Sequence, residues 1–320
     1  MRRSLPGIPP VALAVALVLA AGGCGGEGAT RFAGTERPRA GHGGSLSYAF
    51  PGGTTSLDPL AARTPSAITV VRQLFEPLVA KLQGPYERVR KRRGLAFEWQ
   101  ASDDRRVWSF RLRPRVRFHD GTPFNASAVV VNVVRWRAHV VAQGILPELL
   151  DADAPRPTLA RIILREPVPN LPSRLADPRL GLISPAALRQ PGETLSDAEL
   201  RLAGSGPFEL GPDQPLDGVA LRRFRGWWGS RLGLGPALDR IEFDEVEDPD
   251  ERVALLRSGA VRVAAGLGKA QADVVVSDPL VSVIGEGRDY IAVERSVRGI
   301  TSPDPQPLSG VWLTVVGQGG

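Results

Sequence analysis

One cysteine, three histidines and three lysines are all that 320 residues contain of these types, and no apolar run is long enough to cross a bilayer. A lone cysteine closes no internal disulfide, so stability must come from packing. The histidines, His42, His119 and His139, share no zinc-like or helical spacing, and no metal centre or metal cofactor is expected. Nearly all forty basic residues are arginines, the exceptions being Lys81, Lys91 and Lys269. The formal charge of +6 is modest for this length. Its densest cluster, Arg88-Val89-Arg90-Lys91-Arg92-Arg93, suits either an anionic surface or a solvated loop. A hydrophobic content of 42% excludes wholesale disorder and leaves room for a real core.

What is present begins with the N-terminal pattern. Arg2-Arg3 precedes the apolar run 11–20, followed by Ala21-Gly22-Gly23-Cys24. The run is roughly half of the ~20 residues a membrane helix needs, so it reads as an export signal spanning residues 1–23. A thiolate is the side-chain nucleophile best suited to accept a lipid, and the small residues before Cys24 open the backbone to a peptidase. The phrase resembles the bacterial lipobox, with Ala21 where a large aliphatic residue is usual. The expectation is lipidation at Cys24; the alternative is an ordinary cleaved signal with an incidental cysteine. Residues 24–44, rich in glycine and arginine, would form a flexible tether to the cell membrane on its outer side. Nucleic acid is not an expected partner of an exported chain.

From residue 45 the pattern turns regular. Residues 45–50 alternate as a strand and stop at Pro51-Gly52-Gly53; residues 66–82 carry Ile68, Val71, Leu74, Leu78 and Leu82 at helical spacing. Residues 108–113 and 116–118 alternate, Asp120-Gly121-Thr122-Pro123 is a turn, and Asn125 or Ser127 caps a helix over 126–139. Strands are expected over 158–164, 206–210, 219–224, 241–246 and 261–264, with helices over 197–202 and 250–258, the latter stopped by Gly259. Alternating strands and helices make the fold class mixed α/β.

The order of these signals resembles the family 5 extracellular solute-binding proteins, which include the dipeptide, oligopeptide and nickel-binding lipoproteins of ABC importers. Ser56-Leu57-Asp58-Pro59, Leu74-Phe75-Glu76-Pro77-Leu78 and Leu95-Ala96-Phe97-Glu98-Trp99 carry the likeness, together with residues 108–113, 118–126, Gly204-Ser205-Gly206-Pro207-Phe208 and 238–243. The resemblance implies a periplasmic-binding-protein-like architecture (type II, cluster C). It implies a lobe I split over 45–62 and 204–320, a smaller domain inserted at 63–203, and a second large lobe across a hinge. After 278–284 and 290–293 too little sequence follows for that second lobe, so it is expected to be largely missing, with residues 308–313 returning to lobe I.

The resemblance also implies a non-enzymatic role, an ABC permease as partner, and a small peptide or similar solute as ligand, with the chain acting as a monomer. A family descendant that has lost solute capture and serves as an envelope scaffold is the rival expectation. Candidate ligand residues are Gly53, Thr54 and Thr55, in the loop after the first strand, and Tyr290; a plain turn and a packed tyrosine explain them equally well. Other motifs are read structurally. His119 and Asp120 are adjacent in extended chain and point to opposite faces, which argues against a catalytic pair. Gly266-Leu267-Gly268-Lys269 lacks the serine or threonine and the earlier glycine of a phosphate loop. Asn125-Ala126-Ser127 is a helix cap rather than a glycosylation site, and Trp227-Trp228 is a core pair rather than a stacking platform.

Overall fold

The computed structural model describes residues 43–54, 56–80, 94–188, 195–286, 289–298 and 312–313. Cys24, the leader and tether, Thr55 and the basic cluster at 88–93 lie outside them. In chain order the elements are β1 (Ser45–Phe50), α1 (Pro65–Leu74), β2 (Ala96–Ala101), β3 (Val107–Leu112), α2 (Ala126–Ala138), α3 (Val140–Ile145), β4 (Leu149–Arg156) and β5 (Leu159–Leu164). They continue with α4 (Leu171–Arg174), α5 (Asp197–Leu200), β6 (Phe208–Leu210), β7 (Gly218–Arg223), β8 (Arg240–Glu245), α6 (Pro249–Ser258) and β9 (Val263–Leu267). Last come α7 (Lys269–Val275), β10 (Val281–Glu286), β11 (Asp289–Glu294), β12 (Val297–Arg298) and β13 (Trp312–Leu313).

β1 lies inside a seven-stranded sheet of order β10-β11-β9-β1-β8-β7-β6. It runs parallel to β8, from Ser45 opposite Arg240 to Phe50 opposite Glu245, and parallel to β9, with Tyr48 opposite Val263. A strand with neighbours on both sides and helices on both faces must be apolar on both faces, and Leu46, Tyr48, Ala49 and Phe50 are all buried. Successive side chains point to opposite faces. Leu46, Tyr48 and Phe50 therefore join one core with Val70, Val71, Leu74 and Phe75 of the α1 region, while Ala49 joins another with Val253, Leu256 and Val275 of α6 and α7. Phe243 packs in tilted contact against both Tyr48 and Phe50, with ring centroids 5.4 and 5.5 Å apart.

A second, antiparallel sheet of order β2-β3-β5-β4 packs against α2. Its core holds Phe110, Ile162, Val129, Val133 and Trp136, and takes in Leu60, Trp227 and Trp228 from the rest of the chain. Asn125 caps α2 as the sequence predicts, its side chain accepting from the Ala128 N–H at 3.0 Å. Residues Leu78 to Leu182 contribute to this core, whereas α1, Ile183, Leu195 and Leu200 belong to the core of the larger sheet.

Two local expectations are corrected. The helix predicted over 66–82 ends at Leu74, because Pro77 disfavours helical backbone at Glu76 and Phe75 is already extended at φ −122°, ψ 137°. Residues 116–118 form no strand; Arg117 makes a single bridge to Pro123 across the Asp120 turn. Trp312 pairs, through β13, with β12, whose Val297 is buried in the same core as Leu46 and Tyr48. β4, α3 and α7 carry no sequence signal that anticipates them. Among the described residues no helix is long and apolar enough to cross a membrane.

Candidate functional site

The parallel strands β9, β1 and β8 all end on one edge of the sheet, and antiparallel β11 begins there. In open α/β sheets the crevice beyond the carboxyl ends of parallel strands is where ligands collect, since the loops that leave the strands converge without covering it. β1 leaves its end through Pro51-Gly52-Gly53-Thr54. Gly53 adopts φ 107°, a region that side chains avoid. That twist turns two successive amides the same way: Gly53 N–H and Thr54 N–H donate to Oε2 and Oε1 of Glu245 at 3.1 and 3.2 Å.

The loop is also held from α1. The Thr64 hydroxyl caps that helix by accepting from Ala67 N–H at 3.1 Å and donates to Gly53 O at 3.2 Å. Ser66 donates to Pro51 O at 2.7 Å. On the far side Arg252, 2% exposed, spends its guanidinium on Val246 O, on Glu247 O at 2.9 Å and on Gly266 O at 2.8 Å, tying the ends of β8 and β9 together. The Thr54 hydroxyl oxygen is buried and has no hydrogen-bond partner among the described residues. Tyr290 is half-buried and sits opposite Leu267 at the end of β9. With strands spaced about 4.8 Å apart, it lies two strands, roughly 10 Å, from β1.

The structure thus brings Gly53, Thr54 and Tyr290 to one edge of the sheet. Glu245 and Arg252 also belong to that edge. The signal that could have found them is the acidic run from Asp244 to Glu251, directly after a predicted strand. Removing the carboxylate in Glu245→Ala unpairs two amides, and a loss of about 1–3 kcal/mol in urea-unfolding stability is expected.

Two polar knots hold the frame beneath the edge. Asp58, fully buried, accepts from Leu60 N–H at 3.0 Å, from Leu195 N–H at 2.9 Å and from Arg135 Nη2 at 2.5 Å. Glu76 accepts from the Trp228 indole N–H at 2.9 Å and from that of Trp227 at 3.4 Å, while Arg113 stacks over Trp228 at 4.1 Å. Burial pushes the Glu76 carboxyl up to about 7, against the opposing pull of the indoles and Arg113. Gly204 passes so close to α1 that a Cβ there would lie 2.0 Å from Leu74 O, which explains the Gly-Ser-Gly-Pro phrase.

Among the described residues no group of three His, Cys, Asp or Glu side chains is placed to hold a metal. His119 is buried, with Nε2 3.1 Å from Gly206 O, and desolvation pushes it down to about 4, so it is neutral at pH 7. Asp120 accepts from Thr122 N–H at 2.8 Å and from the Ser184 hydroxyl, a turn rather than a catalytic pair.

Comparison with known proteins decides the family. The sequence pattern of the bacterial extracellular solute-binding proteins, family 5 Middle, matches residues 92–301, well over half of the chain. The chain belongs to this family. Family 5 relatives include the glutathione-binding protein GsiB of Escherichia coli O1:K1 / APEC, 30% identical over 213 residues, covering 66% of this chain and 40% of the relative. GsiB of Escherichia coli strain K12 is 30% identical over 224 residues, with coverage of 69% and 42%. The chain therefore spans well under half the length of these relatives.

Solved structures of the same fold include MoaA from A. tumefacien R10 with mannopinic acid, at TM-score 0.65 and 24% identity, covering 77% of this chain and 50% of that one. DppA from Helicobacter pylori with peptide STSA gives TM-score 0.63 and 18% identity, with coverage of 76% and 50%. The fold is that of type II periplasmic binding proteins, mixed α/β, of which the described residues form one lobe, and family 5 proteins are binding proteins rather than enzymes.

Proposed function

We propose that this chain is the solute-binding component of an ABC importer for peptides or similar small solutes, held outside the cell membrane by a lipid on Cys24 and presenting its cargo to a permease. The observation that carries the reading is the carboxyl edge itself: the Gly53–Thr54 loop between two parallel neighbours, in a chain of family 5. Gly53, Thr54, Thr55 and Tyr290 are the proposed ligand contacts, with the Thr54 hydroxyl as a donor not already spent. The chain organisation is part of the proposal, as a large lobe interrupted by a smaller unit; the shared core of residues 78–182 supports an insertion narrower than 63–203. The second reading, an envelope scaffold that no longer captures solute, is favoured by one fact: Glu245 already fills the two loop amides that a ligand carboxylate would use.

The two readings separate in a thermal-shift and calorimetry screen of short peptides, opines and metal chelates against the whole chain. A ligand at a hundredfold excess over Kd stabilises by about 2.7 kcal/mol, a shift of several degrees. Such a shift supports capture. A flat melting point with every class at millimolar concentration leaves the scaffold reading.

A further inference from the structure

The antiparallel unit carries a concavity that the carboxyl edge does not use. α2 ends at Ala138, and His139 caps the following α3 by accepting from Val141 N–H at 3.2 Å through Nδ1. This break redirects the chain and opens a groove of about 800 Å³ between the end of α2, α3 and the start of β4, a volume within the range of small-molecule sites. Its apolar wall includes Val134, Val140, Leu146 and Leu149, and its charged groups are Arg137 and Arg165, with no acidic residue in the lining.

Val140 is 72% exposed and Val134 38%, and the nearly buried Leu146 and Leu149 lie beneath them as the groove's floor. Arg137 pairs with Asp151 at 3.5 Å, both side chains about half exposed and the contact screened by water, and Arg165 has no ion pair among the described residues. Trp136, 1% exposed, also lines the groove, and its indole N–H has no hydrogen-bond partner among the described residues.

We propose that this groove binds an amphipathic monocarboxylate, its hydrocarbon body on Val134, Val140, Leu146 and Leu149 and its head on Arg165 and Arg137. Apolar wall and cationic rim together select the ligand: a purely polar anion leaves the valines wet, and a neutral hydrocarbon leaves the guanidiniums unused. A carboxylate offers two coplanar oxygens that match the fork of a guanidinium. The site is separate from the carboxyl edge and stands whether or not the chain captures solute there.

Titration calorimetry with octanoate on the whole chain tests it, with 1-octanol as the uncharged control. Saturable binding is expected, with octanol weaker by about tenfold or more because the charge-assisted contacts are lost. Arg165→Gln is expected to weaken octanoate at least about fivefold, and Val140→Asp, at a residue exposed enough to leave folding alone, to abolish binding. Arg225→Gln, at an exposed arginine in a different groove lined by residues 222–226, should change nothing. Absence of saturable heat overturns the proposal. So does wild-type affinity in both groove variants, or an equal loss in Arg225→Gln, which would mark diffuse attraction to a basic protein.

Discussion

Asp58→Ala is expected to lower folding stability by about 3–5 kcal/mol, read as a shift of the urea midpoint at unchanged slope. The carboxylate is fully buried and holds three donors from three parts of the chain: Leu60 in its own turn, Arg135 on α2 and Leu195 before α5. Removing it takes the buried counter-ion from a guanidinium that is itself 2% exposed. The loss comes from the buried positive charge that remains rather than from the worth of the pair, so the double variant Asp58→Leu/Arg135→Leu should be more stable than Asp58→Ala alone. Asp273→Ala supplies the contrast. It breaks the exposed Lys269–Asp273 pair, at 2.8 Å and with both side chains more than 60% exposed, and should cost less than about 1 kcal/mol. Equal losses in Asp58→Ala and Asp273→Ala would refute this account of the Ser-Leu-Asp-Pro phrase.

These knots show what one dimension of sequence can and cannot carry. The strand at 45–50, the Asn125 cap and the Asp120-Gly121 turn are settled within a few residues, and all are legible as patterns. So is the likeness to family 5, because its phrases mark those same local devices. Asp58 reads only as part of such a phrase, since its charged partner is 77 residues away. Glu245 meets Gly53 across 192 residues. Nothing in the spelling of either segment announces the pairing; it follows from β1 and β8 being parallel neighbours in register. β4 is illegible for another reason. Its Asp151, Asp153 and Pro155 oppose strand propensity, and cross-strand pairing with β5, including a bidentate Arg161–Asp153 contact at 2.7 and 2.6 Å, overrides them. After Thr64, Leu78 and Leu82 keep helical spacing, while Pro77 breaks the backbone that the spacing presumes.

Glu76 sits where the two cores meet, and its protonation should be visible in the pH dependence of stability. The folded chain holds its proton up to about pH 7, whereas a free glutamate releases it near 4.5. Between those values the unfolded state binds fewer protons, so this group's contribution is full below about 4.5 and is lost as pH rises to 7. His119 acts in the opposite direction. Its folded value of about 4 lies below the ordinary 6.5, so its contribution is lost as pH falls from 6.5 to 4. The two windows overlap and each is worth up to about 3 kcal/mol, so wild type should be nearly flat between pH 4.5 and 6.5. Glu76→Gln keeps an acceptor for the indoles and removes only the titration. The stability of Glu76→Gln minus that of wild type, from urea midpoints at intervals between pH 4.5 and 7.5, should therefore rise with pH and level off above 7. Shifts at other groups cancel in the difference. A difference independent of pH would mean that the indole donors and Arg113 already hold Glu76 as a carboxylate, and that the seam between the cores is an ordinary ion-stabilised contact.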